Sequence, residues 1–320
     1  MNKHSSIKSS GSLLERASEL YDFGAALRGG PAPVVPEVVE QPVAEPAIVV
    51  EPPAPAPAIQ RTPSVSQPMA ARPIASRFAE INRERLAAQN FIVPDGPVTG
   101  LSEEFRIVKR QLLLTARGGK GFDAIPHGER ILVCSAHPNE GKTYCAINLA
   151  LSMASEKDNR VLLVDADFAK PSVLSTLGIE NGPGFMDALA DDTVDAENFI
   201  IETDIEGLSI LPAGARTNQD TEYLAAARTA QIIDDLTRND PSRIIIFDSP
   251  PALAASPASV LALHVGQVLM VVHADETTDS ALRDALSLLS GCDHVQLLLN
   301  RAKFSPTGRK FGNYYGYGAS

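Results

Sequence analysis

From Arg130 onward, short apolar runs alternate with longer amphipathic stretches. The runs at 131–135, 160–165, 208–211, 243–248, 267–273 and 294–299 have the length and residue types of buried strands. Between them, 142–155, 171–177, 221–238, 256–263 and 278–290 space their apolar residues as helices do. Such alternation predicts an α/β fold, a doubly wound and mainly parallel sheet with right-handed crossovers. Upstream, the pattern predicts a helix from Leu101 to Leu114 whose Glu103, Arg106 and Lys109 line one face. A further helix is expected over 76–92, where Phe78, Ile81 and Leu86 stand among charges, before a turn at Asp95-Gly-Pro97.

The first quarter of the chain follows another pattern. Ser12-Leu-Leu-Glu15 is a capping-box sequence, and Leu13, Leu14, Ala17, Leu20, Tyr21 and Leu27 recur at helical spacing up to Gly29-Gly30. A lone helix of this length needs a surface to dock on, either a partner or its own domain. Half of the 24 prolines fall between Pro31 and Pro73, in a stretch of Pro, Ala, Val and Glu without periodicity. That composition predicts a semi-rigid, disordered linker. The expected organisation is an amphipathic helix in 1–30, a linker over 31–75, a phosphate-binding domain over 76–300 and a flexible tail from 301 to 320.

Charge and composition narrow the function. A net charge of −11 excludes a general nucleic-acid binder, which needs a basic surface. The three cysteines, Cys134, Cys145 and Cys292, have neither metal-ligand nor disulfide spacing, which suits a reducing cytoplasm. No run approaches the ~18–20 apolar residues of a membrane span, and the N-terminus lacks a signal-peptide core. A soluble chain is expected, with no direct membrane insertion.

The chemistry centres on Ile131-Leu-Val-Cys-Ser-Ala136-His-Pro-Asn-Glu-Gly141-Lys142-Thr143, an apolar strand leading through a loop into a helix. This is the context of a phosphate-binding P-loop, with Ala136 where the first glycine of the usual pattern stands. Backbone N–H groups of Pro138-Asn139-Glu140-Gly141-Lys142-Thr143-Tyr144, proline excepted, would cradle a nucleotide's phosphates at the positive end of the helix. Lys142 would reach the β/γ-phosphates and the Thr143 hydroxyl would ligate Mg²⁺. In doubly wound sheets ligands sit at the carboxyl ends of strands. There the chain places Asp165 and Asp167 after one strand and Asp248 after another. A carboxylate closing so apolar a strand as Ile244-Ile-Ile-Phe-Asp248 is costly unless paired or metal-bound, which suits a Walker-B aspartate on Mg²⁺.

Together, Ala136 to Thr143, Val164-Asp165-Ala-Asp167, Leu211-Pro-Ala-Gly214 and Phe247-Asp248-Ser-Pro-Pro251 resemble the bacterial tyrosine kinases. These are P-loop enzymes of exopolysaccharide synthesis. With Ser12-Leu-Leu-Glu15 and the Glu103 to Arg110 segment, the chain is most similar to the exosortase-associated tyrosine autokinases. The resemblance implies ATP and Mg²⁺ as cofactors and Lys142, Asp165, Asp167 and Asp248 as catalytic residues. Thr143, Asp165 and Asp248 would organise the metal, one of Asp165 and Asp167 would activate the tyrosine hydroxyl, and Asn300 would contact adenine. It also implies self-association, in rings, through Glu103, Arg106 and Lys109. The expected partner is a transmembrane polysaccharide chain-length or export activator that recruits a cytoplasmic chain to the membrane's inner face. Lys170 stands where arginine is common, Ser249 where threonine is common, and Lys109 replaces the last arginine of the association motif. Lysine does not reproduce arginine's bidentate fork.

Three of the six tyrosines, Tyr314, Tyr315 and Tyr317, fall in the last seven residues among glycines. The resemblance makes them phosphoacceptors, one chain's tail entering a neighbour's site. Two other functions compete: a partitioning-type ATPase switch and a non-catalytic nucleotide-binding scaffold of an export complex. The switches carry an early loop lysine where this chain has His137, and they lack the tyrosine tail.

Overall fold

The computed structural model describes residues 77–303, except Phe122. The chain divides into Met1–Pro68 and Met69–Ser320, and every described residue belongs to the second unit. The helix expected from Ser12, the linker and the tail with Tyr314, Tyr315 and Tyr317 lie outside the described residues.

Eight strands form one sheet: β1 (Arg77–Ala79), β2 (Arg130–Ser135), β3 (Arg160–Asp165), β4 (Ile201–Thr203), β5 (Leu208–Leu211), β6 (Arg243–Asp248), β7 (Gln267–His273) and β8 (Val295–Asn300). Their order is β1-β4-β5-β3-β6-β2-β7-β8, parallel throughout except between β4 and β5. Helices α1 (Arg83–Ala88), α2 (Gly100–Arg117), α3 (Lys142–Ala154) and α4 (Val173–Leu177) contribute to one face. On the other face lie α5 (Phe185–Ala190), α6 (Asp220–Ala225), α7 (Ala227–Asn239), α8 (Pro257–Leu261) and α9 (Asp279–Leu288).

Coverage on both faces explains why the central strands are apolar runs rather than alternating ones. In β2, Leu132 and Cys134 join the core under α5–α9, while Ile131 and Val133 join the core under α1–α4. β3 and β6 divide their side chains in the same way, with Leu162, Val164, Ile245 and Phe247 on one side and Val161, Leu163, Ile244 and Ile246 on the other.

The structure corrects the sequence reading in three elements. Residues 76–92 are not one helix: Arg77–Ala79 pair with β4, and Asn82 then caps α1 through the Arg85 N–H at 2.9 Å. The stretch 221–238 breaks at Ala226, whose ψ of 151° leaves the helical region. There the buried Thr229 donates its hydroxyl to the Tyr223 carbonyl and its N–H to the Ala226 carbonyl, opening α7 in a new direction.

The third correction concerns α2. Glu103 and Arg106 form an ion pair, but Lys109 does not share their open face. At 100° per residue, positions i and i+6 diverge by about 120°. Lys109 instead falls into the buried stripe of Phe105, Leu112 and Leu113 and is only 6 % exposed. Its ammonium donates to the Ser152 carbonyl at 2.7 Å and the Ser155 hydroxyl at 3.3 Å, and pairs with Glu156 at 3.0 Å. Lys109 is thereby a bolt between α2 and the end of α3, off the open face of Glu103 and Arg106.

Candidate active site: a phosphate loop between three aspartates

β2 delivers the chain into a loop that must turn sharply before α3. Asn139 and Gly141 adopt positive φ of 67° and 95°, and the Ser135 hydroxyl donates to the His137 carbonyl at 2.9 Å. The backbone conformation at Gly141 favours glycine, and a Cβ there would stand 2.2 Å from the Asn300 Nδ2 and displace that amide. Gly141 caps α3 without a side-chain hydrogen bond. The first N–H groups of α3 and the positive end of its dipole thus remain for an anion. Residues Cys145 to Ala154 of α3 are all buried, which fixes that end rigidly.

Pro138, Asn139, Gly141, Lys142, Thr143 and Tyr144 border a cleft of about 510 Å³. Asp167, Lys170, Ser172 and Arg301 border it too, with Pro250 and Pro251 from the segment after β6. The Lys142 Nζ lies 3.0 Å from the Asp167 carboxylate. The Ser172 hydroxyl stands 3.5 Å from that of Thr143. Burial works against the charge of Lys142, but Asp248 and Asp167 more than offset it and hold its pKa above the ordinary lysine value.

The three aspartates occupy distinct environments. Asp165 and Asp248 are register partners at the ends of β3 and β6. Asp165 is 1 % exposed, and its carboxylate accepts the N–H groups of Ser172 and Val173, each at 3.0 Å, which anchors the start of α4. Burial pushes its pKa up to about 6, against the pull of those backbone donors. It borders a separate cavity of about 270 Å³ with Gly214 and Arg216, not the phosphate cleft. Asp248 is fully buried, and neither carboxylate oxygen has a hydrogen-bond partner. Burial pushes it up to about 7, although the Lys142 charge and the Thr143 hydroxyl beside it act in the opposite direction. Asp167 alone of the three borders the cleft.

This arrangement fits a nucleotide with Mg²⁺. Both Asp248 oxygens are buried without a hydrogen-bond partner and the Lys142 charge offsets only part of that burial, so a cation near Thr143 would complete the compensation. Mg²⁺ prefers a few protein oxygens completed by phosphate and water.

Two residues expected at the site turn their side chains to the loop rather than to the cleft. Glu140 is 4 % exposed and turns its side chain away from the cleft, accepting the His137 N–H at 2.8 Å and the Thr277 hydroxyl. Asn300 donates its amide to the Glu140 carbonyl at 2.8 Å and accepts the Arg301 N–H at 2.9 Å. Its amide is thereby engaged with the loop. Sequence reading missed Ser172, Arg301 and Thr277. Ser172 carried a signal, as a serine before the apolar start of α4, whereas Thr277 meets Glu140 across 137 positions and carried none.

No helix among the described residues is long and apolar enough to cross a membrane. A family profile described as AAA domain matches residues 130–302, more than half of the 320-residue chain. The tyrosine-protein kinase YwqD of Bacillus subtilis is 26 % identical over 238 residues, 73 % of this chain and 94 % of that protein. The tyrosine-protein kinase Wzc of Salmonella typhimurium is 28 % identical over 190 residues, covering 58 % of this chain but only 26 % of the longer relative. In fold, the kinase domain of Escherichia coli tyrosine kinase ETK superposes with a TM-score of 0.54 at 23 % identity, over 72 % of this chain and 93 % of that one. The chain therefore belongs to the AAA domain family, and its relatives are bacterial tyrosine-protein kinases.

Proposed function

We propose that the protein is an ATP- and Mg²⁺-dependent tyrosine autokinase whose acceptors are Tyr314, Tyr315 and Tyr317, acting in exopolysaccharide synthesis or export. The observation that carries this reading is the Lys142–Asp167 pair across the cleft. It sets the phosphate-binding cation beside a carboxylate that borders the same space.

Phosphoryl transfer asks a protein mainly for positioning and charge stabilisation. The loop N–H groups and Lys142 would hold the β/γ-phosphates, while Thr143 and Asp248 would provide oxygens for Mg²⁺. A Mg²⁺ held there would supply charge neutralisation at the phosphate oxygens. Lys142 leaves Asp167 for the phosphates, which frees the Asp167 carboxylate for the incoming phenol. Asp167 takes the tyrosine proton as the phenolic oxygen attacks the γ-phosphorus and the bond to the β–γ bridging oxygen breaks. Asp165, held by backbone N–H groups, keeps the Asp167 loop and α4 in place. A transmembrane activator would recruit the chain to the inner face of the membrane.

The test is incubation of purified protein with Mg²⁺-ATP followed by phosphotyrosine detection. Wild type should label itself. Lys142→Ala should lose at least about a hundredfold in rate, and Asp167→Asn a comparable factor, in the usual range for a positioned proton acceptor. Asp165→Asn should lose less, and Tyr314/Tyr315/Tyr317→Phe should not label. Labelling of Lys142→Ala at the wild-type rate would overturn the site, and labelling of the triple-Phe protein would overturn the acceptor assignment.

A further inference from the structure

The loop that would receive the phosphates is held from outside as well as by its own hydrogen bonds. Two tethers reach it from neighbouring strand ends, His273 of β7 and Asn300 of β8, which are register partners. In the first, the His273 N–H donates to the Thr277 hydroxyl at 2.9 Å, and that hydroxyl donates to the Glu140 carboxylate. The other Glu140 oxygen accepts the His137 N–H at 2.8 Å. In the second, the Asn300 amide donates to the Glu140 carbonyl at 2.8 Å.

The second tether has a consequence for the next residue. All described peptides are trans, so the Glu140 carbonyl and the Gly141 N–H point in opposite directions. With its carbonyl held by Asn300, this peptide turns the Gly141 N–H away from β8. Gly141 borders the cleft, and its N–H has no hydrogen-bond partner among the described residues. Gly141 has no Cβ to resist a peptide flip, and at φ 95° its own backbone permits several orientations. The restraint must come from outside the loop.

We propose that Asn300 is a positioning residue for phosphate binding, with Thr277 and Glu140 as its counterpart. Asn300 pins the Glu140–Gly141 peptide so that the Gly141 N–H faces the phosphates, and Thr277 holds the Glu140 side chain so that the loop cannot roll. This assigns Asn300 to the phosphate end of the nucleotide rather than to the base. The inference rests on the nucleotide-binding reading of the cleft.

Equilibrium binding separates the two ends, with Mg²⁺-ATP and Mg²⁺-tripolyphosphate, which has no base, as probes. Wild type should bind both; binding of neither would remove the nucleotide reading itself. Asn300→Ala should weaken both by the same factor, about tenfold, since each factor of ten is one lost interaction of ~1.4 kcal/mol. Thr277→Val, which removes the hydroxyl and keeps the shape, should weaken both by roughly three- to tenfold, in the range of one hydrogen bond. In the kinase reaction each variant should raise KM for ATP with kcat within about twofold of wild type, the mark of lost uniform binding. Weaker ATP binding with unchanged tripolyphosphate binding would assign Asn300 to the base and overturn the proposal. Unchanged binding of both probes by either variant would also overturn it. If Asn300→Ala does not fold, Thr277→Val carries the same comparison.

Discussion

At the scale of single residues, the site trades stability for readiness. Asp248 is buried, unpartnered and raised to about 7, and Asp165 is raised to about 6, both chiefly by burial. An unfolded aspartate titrates near 3.9, so between that value and the folded pKa the native protein binds the extra protons. Their stabilising contribution is complete below about pH 4 and is lost as pH rises through about 6 to 7. Asp248→Asn keeps the shape and removes one of these titrations. The melting temperature of nucleotide-free Asp248→Asn, minus that of wild type, should therefore rise between pH 5.5 and pH 8. A rise of at least about 2 °C, on the order of 1 kcal/mol for a domain of this size, is expected. The same variant should lose Mg²⁺-dependent activity. A temperature difference that stays flat with pH would mean that the buried carboxylate is compensated in the folded protein. That Lys142, Thr143, Asp167 and Asp248 gather at one sheet edge was legible in the sequence from short local patterns at strand ends, whereas the turn of Asp165 toward a separate cavity was not. The bracing roles of Glu140, Thr277 and Asn300 were not, since their bonds join segments more than a hundred positions apart.

At the scale of elements, long periodic segments were legible and short ones were not. The six strands expected from apolar runs all exist, with edges shifted by one residue at β2 and β8. The three-residue strands β1 and β4 escaped because so short a segment carries no period; they exist by pairing with one another and with β5. α2 shows a subtler failure, in which charges three apart looked like one face although the third had rotated into the core. The consequence is measurable. Lys109→Ala removes three polar contacts between α2 and α3 and leaves Glu156, which is partly exposed, without its cation. It should cost about 1–3 kcal/mol, lowering the denaturant midpoint with an unchanged slope. Arg106→Ala, whose side chain is half exposed, should stay within about 0.5 kcal/mol of wild type. Equal stabilities for the two variants would restore Lys109 to the surface role that its sequence suggested.

At the scale of the whole molecule, charge links the proposed chemistry to assembly. With Lys109 withdrawn into the core, the open side of α2 is still basic. Arg106, Arg110 and Arg117 line a groove of about 500 Å³ together with Leu113 and Leu114, with the Lys109–Glu156 pair at its wall. The chain as a whole carries −11, so like chains repel one another except where such a basic strip meets an acidic surface. Each phosphotyrosine adds about −1.5 to −2 charges at pH 7, and three add about −4.5 to −6. If chains associate through α2 and pass their tails to neighbouring sites, phosphorylation should act twice. It raises the repulsion between subunits, and it removes the acceptor hydroxyl that holds a tail in the neighbouring cleft. Unphosphorylated protein should then associate and phosphorylated protein should dissociate toward monomers, more readily at low salt where repulsion is less screened. Light scattering before and after Mg²⁺-ATP treatment checks this with three proteins. Wild type should lose mass on treatment, Tyr314/Tyr315/Tyr317→Phe should keep it, and Arg106→Ala should be small from the start and label itself poorly. Because Arg106→Ala is expected to fold normally, a small mass for it would report lost contact rather than lost structure. Identical masses for all three proteins, before and after treatment, would separate phosphorylation from assembly and leave the tail as a substrate alone.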